Sequence, residues 1–293
     1  MAIEDPIGCS KIFRAEISEK DFLRLRDFIE QECGIKMPFT KKVMLEARLR
    51  KRLRALGYRS FEEYCDYLFS PEGMEHEHVP MIDVITTNKT DFFREPSHFD
   101  YLVQTVVPEM IRDSGAGVKK PFMIWSAGCS TGEEPYTLAM VMSGFRERYP
   151  GGVFDFVILA TDISTAVLER ARTGIYQERR LEFMPKPMKK KYLLRSKDRR
   201  KALVRIVPEL RDKIGFRRIN FLEEDFGFSE KVDIIFCRNV IIYFERPIQE
   251  KVLNSLCRWL VPGGYLFMGH SETLHGLHVP LEAVSPTIYR HIS

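Results

Sequence analysis

The chain has 293 residues, enough for one large domain or two smaller ones, and is 44% hydrophobic and 29% charged, as globular proteins are. No run of about 18 apolar residues is present, which excludes a predicted membrane-spanning helix. The opening residues, MAIEDPIGCS, lack the apolar core of a secretory signal. We therefore expect a cytoplasmic protein without direct membrane insertion.

The net charge of +4 is unevenly distributed along the chain. Residues 41–54 contain seven basic residues and one acid, and residues 179–201 contain eleven basic residues and two acids. Two basic zones on a nearly neutral chain indicate acidic partners, although a run of charges is often only solvated surface.

The six cysteines are far apart in the sequence and form no C-x-x-C pair: Cys9, Cys33, Cys65, Cys129, Cys237 and Cys257. This spacing argues against a zinc site or a disulfide framework and is typical of proteins in a reducing compartment. We expect no metal site.

Residues 1–85 show helical patterns and no strand-like alternation. Ser18 is a predicted N-cap and Gly34 a stop signal for a first helix. A second helix is predicted between Thr40, as its cap, and Gly57, with a buried stripe at helical spacing: Leu45, Leu49, Leu53 and Leu56. Ser60 begins a capping box for a third helix, and a further helix is predicted within residues 79–86.

From residue 121 onward, apolar runs alternate with amphipathic helices. The runs are FMIWSAG, FDFVILATD, VDIIFCRN, YLFMGH and TIYRHI. Such alternation predicts an α/β domain with a mostly parallel sheet and helices on both faces. The pattern breaks into the short pieces ALVRIV and GFRRINF, which predict a small β-subdomain inserted at about residues 188–219.

The first predicted strand ends in the glycine-rich sequence WSAGCSTGEEP. In a doubly wound sheet, ligands bind at the carboxyl ends of strands, where glycines allow close approach of the backbone. Glu133 and Glu134 would repel a pyrophosphate at this helix start, and the fingerprint G-x-G-x-x-G is absent. The motif therefore favours a cationic cofactor such as S-adenosylmethionine, whereas its alternative interpretation is an acidic first helical turn.

Two other strand ends carry polar side chains. Asp162 follows the second run and is placed to accept hydrogen bonds from ribose hydroxyls, or else to cap a helix. Arg238 and Asn239 follow the third run, with Tyr243 close behind, and no Pro-Pro-aromatic turn of the nitrogen methyltransferases is present there.

The segment TTNKTDFFREP, residues 86–96, combines hydrogen-bonding side chains, two adjacent phenylalanines and one arginine. A linker does not need paired phenylalanines, and a core strand would not carry so many polar groups. We expect a connector, residues 86–120, that contributes one wall of the active site. Phe92 and Phe93 would anchor it and help to exclude water.

Taken in order and spacing, TTNKTDFFREP, WSAGCSTGEEPY, ATDIS, INFLE and FCRNVIIYF resemble the chemotaxis receptor methyltransferase family, CheR. The resemblance implies a class I S-adenosylmethionine-dependent methyltransferase fold, Rossmann-like, with a mostly parallel seven-stranded sheet over residues 121–293. It also implies an N-terminal all-α domain, residues 1–85, for receptor recognition.

The resemblance further implies methyl transfer from S-adenosylmethionine to glutamate side chains of chemoreceptor helices. Arg94 and Tyr243 would be catalytic. The implied cofactor contacts are Asn88, Thr90, Arg94, Glu134, Asp162, Asn220, Phe221, Arg238 and Asn239. The implied receptor contacts lie on the basic helix: Arg48, Lys51, Arg52 and Arg54. Some family members bind a receptor peptide on the inserted β-subdomain, but the loop RSKDRRKA here lacks glycine, and we expect no such tether.

Three alternatives remain open from the residues. A nucleic-acid methyltransferase would use the basic zones to contact phosphates, which the modest net charge and the missing Pro-Pro-aromatic turn disfavour. A non-catalytic adaptor would bind the cofactor only, and a small-molecule methyltransferase would use the N-terminal helices as a lid. We expect a monomer whose partners are chemoreceptors rather than nucleic acid.

Overall fold

The computed structural model describes residues 15–151 and 153–292, so that Cys9 lies outside the described residues. The chain divides into two compact units, which we call the helical unit (residues 15–87 with Tyr243–Glu245) and the α/β unit (Asn88–Ile242 with residues 246–292). The contribution of Tyr243–Glu245 to the helical unit is not foreseen in the sequence.

The described part of the helical unit contains five α-helices. They are α1 (Glu19–Cys33), α2 (Lys42–Leu56), α3 (Phe61–Leu68), α4 (Pro71–His76) and α5 (His78–Ile85). As predicted, Ser18 Oγ accepts a hydrogen bond from the N–H of Asp21 at the start of α1, and Gly34 ends it with φ 70°. Thr40 does not cap α2, because a short 3₁₀ turn, Phe39–Lys41, precedes this helix.

The core of the helical unit is built from helical stripes. Leu25 and Ile29 of α1 and Leu45, Leu49 and Leu53 of α2 are fully buried. Leu56, predicted to extend the stripe of α2, is instead exposed at the last residue of the helix. Burial of a leucine or isoleucine side chain stabilises by about 1.5–3 kcal/mol, so that these stripes decide which faces of the helices turn inward.

A buried carboxylate, Glu77, lies between α4 and α5 and is 1% exposed. Arg52 of α2 holds it with two hydrogen bonds of 2.7 and 2.6 Å, and the hydroxyl of Tyr64 donates a third of 2.9 Å. A bidentate arginine–carboxylate pair is both strong and geometrically specific. The pair therefore fixes α2 against the segment that joins α4 to α5.

The segment Tyr243–Glu245 is tied to the chain that follows α1. The N–H of Lys36 donates to the carbonyl of Tyr243 at 2.8 Å, and Lys36 Nζ pairs with Glu245 at 3.1 Å. Ile35 and Phe244 form an antiparallel bridge. The backbone at Tyr243 is thus held by the helical unit.

The described part of the α/β unit contains seven α-helices and ten strands. The helices are α6 (Ser97–Tyr101), α7 (Val107–Ser114), α8 (Glu133–Arg148), α9 (Thr165–Thr173), α10 (Lys186–Tyr192), α11 (Pro208–Arg211) and α12 (Arg246–Arg258). The strands are β1 (Phe122–Ala127), β2 (Phe156–Asp162), β3 (Ile175–Gln177), β4 (Leu193–Arg195), β5 (Leu203–Ile206), β6 (Ile214–Arg218), β7 (Val232–Cys237), β8 (Leu260–Met268), β9 (Leu281–Ser285) and β10 (Ile288–His291).

The main sheet has seven strands in the order β6-β2-β1-β7-β8-β10-β9. The five strands from β6 to β8 form four parallel pairs, and β10 and β9 add two antiparallel pairs. β1 lies between β2 and β7, so the chain order of the strands reverses at β1. The carboxyl ends of these three strands form the crevice where such sheets bind ligands. The predicted fold class is confirmed.

A separate antiparallel sheet has the order β3-β5-β4. The β-subdomain is therefore present, but its strands run from Ile175 to Ile206, whereas the sequence predicts about 188–219. The piece GFRRINF belongs instead to the main sheet, because Ile214–Arg218 pairs in parallel with β2. A three- to five-residue strand has too little alternation to reveal its partner.

Among the described residues, no helix combines the length and apolar character that a membrane crossing requires.

Replacing Arg52 by alanine should lower the free energy of unfolding by about 3 kcal/mol, because it leaves the buried Glu77 carboxylate without its cation. Lys51, the exposed neighbour of Arg52 on α2, provides the control: Lys51→Ala should change stability by less than about 0.5 kcal/mol. Denaturant unfolding of the three proteins measures both values. Equal stability of the two variants would contradict the structural role of Arg52.

Candidate functional site

A glycine turn, residues 128–132, joins β1 to α8 at the carboxyl edge of the sheet. Gly128 and Gly132 have φ values of 83° and 94°, which other residues rarely adopt. A Cβ atom on Gly128 would lie 2.4 Å from Cγ2 of Val240, which follows β7. The turn after β1 and the turn after β7 are therefore in close contact, and Gly128 makes that contact possible.

Ser130 connects two predicted cofactor residues through this turn. Its N–H donates to the carboxylate of Asp162 at 2.8 Å, and its hydroxyl donates to the carbonyl of Asn88 at 3.0 Å. Asp162, 7% exposed at the end of β2, also accepts from the N–H of Ser164 at 3.0 Å. The structure thus brings Asn88, the glycine turn and Asp162 together.

Asn220 and Phe221 follow β6 on the other side of Asp162. The N–H of Ile219 donates to the carbonyl of Asp162 at 3.1 Å, which places the two residues at the same edge. The ring of Phe221 packs against Trp125, with centroids 6.3 Å apart.

Arg238 is the buried cation of the site, with only 2% of its side chain exposed. Its guanidinium pairs with the carboxylates of Glu95 at 2.9 Å and Glu134 at 3.2 Å, and donates to the carbonyl of Arg94. Ser126 donates to the second oxygen of Glu134 at 2.7 Å. One arginine therefore joins the end of β7, the start of α8 and the connector.

The two carboxyls of this network respond differently to their surroundings. Burial raises the pKa of Glu134, and the charge of Arg238 and the hydrogen bond from Ser126 oppose this only in part. Burial also acts to raise the pKa of Glu95, but there the hydrogen bond and charge of Arg238 outweigh it, so the net pKa is lowered. Arg238 thus keeps Glu95 ionised.

The connector is held by aromatic packing and by a hydrogen bond to α8, and these contacts maintain a strained backbone. Phe92 is 9% exposed and meets the ring of Tyr176 edge to face at 4.9 Å. The N–H of Phe93 donates to Thr137 Oγ1 of α8 at 3.2 Å. Phe93 and Glu95 have φ values of 54° and 56°, a region that costs about 1–3 kcal/mol per non-glycine residue. Such strain persists only where the surrounding contacts impose it.

Arg94 lies between these two strained residues, yet its own guanidinium is loosely held. Its contacts within the described α/β unit are a 3.4 Å hydrogen bond to the carbonyl of Lys89 and a 4.0 Å approach to Glu95. The side chain is 37% exposed. The backbone of Arg94 is therefore fixed while its charge stays accessible.

A second arginine, Arg180, braces the connector from the segment after β3. It pairs with Glu133 at 2.7 Å and donates to the carbonyl of Thr90 at 2.5 Å. Glu133 is 1% exposed and Glu134 is paired with Arg238, so both acids of the GEEP motif are compensated by arginines.

Asn239 has φ 59°, and its N–H donates to the buried carboxylate of Glu272 at 2.8 Å. Sequence reasoning missed Glu272, Glu95 and Ser130. Glu95 stands next to Arg94 in the motif FFREP, which was a usable signal, whereas Glu272 is 33 residues from Asn239 and nothing local marks it.

Three possible metal ligands, Glu95, His98 and His270, lie within 4.8 Å of one another. Arg238 already occupies the carboxylate of Glu95, and its positive charge opposes a cation there. His98 Nε2 forms a 2.9 Å hydrogen bond with Thr287. We therefore regard the cluster as part of the Arg238 network and not as a metal centre.

The predicted receptor contacts of α2 fall into two classes in the structure. Arg52 is committed to Glu77, and Arg48 donates to the carbonyl of Ile85 and, at 2.8 Å, to Thr87 Oγ1. Lys51 and Arg54 are exposed. Tyr243, predicted to act with Arg94, belongs to the helical unit by its contacts.

Comparison with known proteins gives a consistent assignment. The family model described as CheR methyltransferase, SAM binding domain, matches residues 88–289, and that described as CheR methyltransferase, all-alpha domain, matches residues 20–86. A chemotaxis protein methyltransferase of Borreliella burgdorferi is 38% identical, covering 94% of this chain and 95% of its own.

Two further relatives agree. Chemotaxis protein methyltransferase 2 of Pseudomonas aeruginosa is 38% identical, covering 93% of both chains, and the chemotaxis protein methyltransferase of Escherichia coli is 36% identical, covering 94% of this chain and 92% of its own. The glycine turn and Asp162 at adjacent strand ends fit the S-adenosylmethionine cofactor of the matched domain. The chain belongs to the CheR family of S-adenosylmethionine-dependent methyltransferases.

Proposed function

We propose that this chain transfers the methyl group of S-adenosylmethionine to glutamate side chains of chemoreceptor cytoplasmic helices during sensory adaptation. The products would be glutamate 5-O-methyl esters and S-adenosylhomocysteine. One observation carries the proposal: Arg94 combines an immobilised backbone with an accessible guanidinium beside the cofactor crevice. A positioned cation suits a carboxylate substrate. We further propose that the enzyme acts in the cytoplasm as a monomer and binds no nucleic acid.

The cofactor would be held by the strand ends described above. When bound, S-adenosylmethionine supplies an electrophilic methyl group on its sulfonium sulfur. In this proposal Asp162 accepts hydrogen bonds from the ribose, as acids at this position do in related sheets. The remaining proposed contacts are Asn88, Thr90, Arg94, Glu134, Asn220, Phe221, Arg238 and Asn239. Because the guanidinium of Arg238 is committed to Glu95 and Glu134, its proposed contribution is to shape the crevice.

The reaction requires that the substrate carboxylate be positioned against the methyl group, and it requires no proton transfer. A glutamate side chain has a pKa near ~4.3, so it is already an anionic nucleophile at neutral pH. Arg94 would orient this carboxylate, and Tyr243 would donate a hydrogen bond to it. An arginine that neutralised the carboxylate tightly would stabilise the reactant more than the transition state. The loose hold on Arg94 by its neighbours supports a positioning role, because the side chain can adjust to the substrate.

The exposed basic residues of α2 are the proposed receptor contacts. Lys51 and Arg54 are three residues apart and share one face of the helix. Charge on an exposed face attracts an acidic helix mainly at low salt. Arg48 and Arg52, which the family resemblance includes in this surface, would support it by fixing α2 to the rest of the helical unit.

Replacing Arg94 by alanine should lower turnover by about 100-fold or more, because it removes the cation that orients the substrate carboxylate. Arg112→Ala is the matched control, since Arg112 belongs to the same unit and is 71% exposed. Methyl-labelled S-adenosylmethionine and a cytoplasmic receptor fragment measure the rate. The label should be base-labile and released as methanol. Base-stable label, or label on RNA in place of the receptor, would refute the proposed function.

Tyr243→Phe should lower turnover by about tenfold while leaving the unfolding transition unchanged, since the variant loses one hydrogen bond to the substrate carboxylate. The same methylation assay, run at saturating cofactor and receptor fragment, measures the effect. Wild-type turnover in this variant would remove Tyr243 from the mechanism.

Lys51→Glu and Arg54→Glu should each raise the KM for the receptor fragment several-fold at low salt, and the difference from wild type should shrink as salt is added. Lys20→Glu makes the same charge change on the exposed surface of α1 and is the control. A KM that rises equally in all three variants would show that only net charge matters and would exclude α2 as the docking face.

A further inference from the structure

We propose that Glu272 is a positioning residue whose carboxylate sets the cofactor-binding conformation of the turn after β7. The inference rests on the proposed contact of Asn239 with S-adenosylmethionine. Glu272 does not need to touch the cofactor for this role. It acts through the backbone of residues 239–241, which lies directly against the glycine turn at the carboxyl edge of the sheet.

The carboxylate of Glu272 accepts four backbone hydrogen bonds. One oxygen, Oε2, accepts from the N–H groups of Asn239 at 2.8 Å and Gly269 at 2.6 Å. The other, Oε1, accepts from Val240 and Ile241, both at 2.9 Å. The residue is 5% exposed, so water does not compete for these positions. All four N–H groups depend on one side chain.

The turn needs this acceptor because its own geometry is unfavourable. Asn239 has φ 59°, and the three successive N–H groups of residues 239–241 point to one side and have no partner in a sheet. Buried donors without an acceptor are costly, and a left-handed non-glycine residue adds strain. Glu272 offsets both costs at once.

The turn that carries Glu272 is itself shaped to receive Asn239. It follows β8, the parallel neighbour of β7, and the N–H of Glu272 donates to the carbonyl of Gly269 at 2.9 Å. A Cβ atom on Gly269 would lie 2.3 Å from Nδ2 of Asn239 and 2.9 Å from its backbone nitrogen. Gly269 therefore leaves the space that Asn239 fills, and Glu272 fixes Asn239 in it.

A neutral amide cannot replace the carboxylate of Glu272 in this geometry. Glutamine has almost the same shape, but its amide nitrogen is a donor and would face two N–H groups in place of an acceptor. Burial raises the pKa of Glu272, although four N–H donors oppose that shift and favour the anion. Glu272→Gln should therefore disrupt the turn although it barely changes the volume of the side chain.

The test is calorimetric titration of S-adenosylhomocysteine into the wild type, Glu272→Gln, Gly269→Ala and a control, Asp233→Asn. Asp233 is a 1% exposed carboxylate that accepts a hydrogen bond from the N–H of Met123 at 2.7 Å. It lies on β7, the strand that precedes the turn, so Asp233→Asn also removes a buried acceptor but leaves the turn itself unchanged. Loss of two hydrogen bonds should raise the Kd of Glu272→Gln at least about tenfold. Gly269→Ala should raise it too, and Asp233→Asn should leave it within about twofold.

Kinetics separate positioning from general damage. In Glu272→Gln the KM for S-adenosylmethionine should rise far more than kcat falls, since the receptor-facing residues are unchanged, and Glu272→Asp should recover part of the affinity. If the wild type binds S-adenosylhomocysteine and Glu272→Gln binds it equally well, the inference fails while the proposed function stands. An equal loss in Asp233→Asn would also overturn it. Failure of the wild type to bind would instead overturn the proposed function.

Discussion

The arrangement of the cofactor crevice depends on one buried guanidinium, that of Arg238. A buried charge is tolerated only when it is paired and hydrogen-bonded, and here Glu95 and Glu134 supply the opposite charges from two different segments. The connector cannot move away from α8 or β7 without leaving an unpaired charge in the interior. This explains how the strained backbone at Phe93 and Glu95 is maintained. It also explains why the backbone of Arg94 is fixed although its side chain makes only long contacts and is 37% exposed.

The same network gives a structural explanation for the two adjacent glutamates, Glu133 and Glu134, that follow the glycine turn. Two adjacent glutamates after a glycine turn suggested a binding site for a cationic cofactor. In the folded chain Glu133 is paired with Arg180 and Glu134 with Arg238, so neither is an uncompensated negative charge. The cofactor prediction was correct, and the family assignment supports it. The two glutamates alone did not reveal their pairing, because the compensating arginines lie 47 and 104 residues away in the sequence.

The sequence predicted what depends on local pattern and missed what depends on distant partners. Five apolar runs became strands of the main sheet, and the capping box at Ser60 and the end of α1 at Gly34 are present. β6 was assigned to the wrong sheet and β9 was not predicted, because short edge strands have little periodicity. The roles of Glu95 and Glu272 were missed because each is defined by donors that only the fold brings near. The family resemblance likewise included Arg52 among the receptor contacts, and nothing local in the sequence indicated its pairing with the buried Glu77.

Because the proposed nucleophile is already ionised, the reaction needs no proton transfer from the titratable groups of the site. These groups can therefore have purely structural roles. His98 illustrates this: burial, with the nearby charge of Arg238, lowers its pKa to about 4, so it is neutral at physiological pH and is not poised to exchange a proton. Arg238 likewise holds the pKa of Glu95 below its ordinary value. Between about pH 6 and 8 His98 therefore stays neutral and Glu95 stays ionised. In the proposed reaction the accessible guanidinium of Arg94 would orient the substrate carboxylate, and no general base is required because that carboxylate is already ionised.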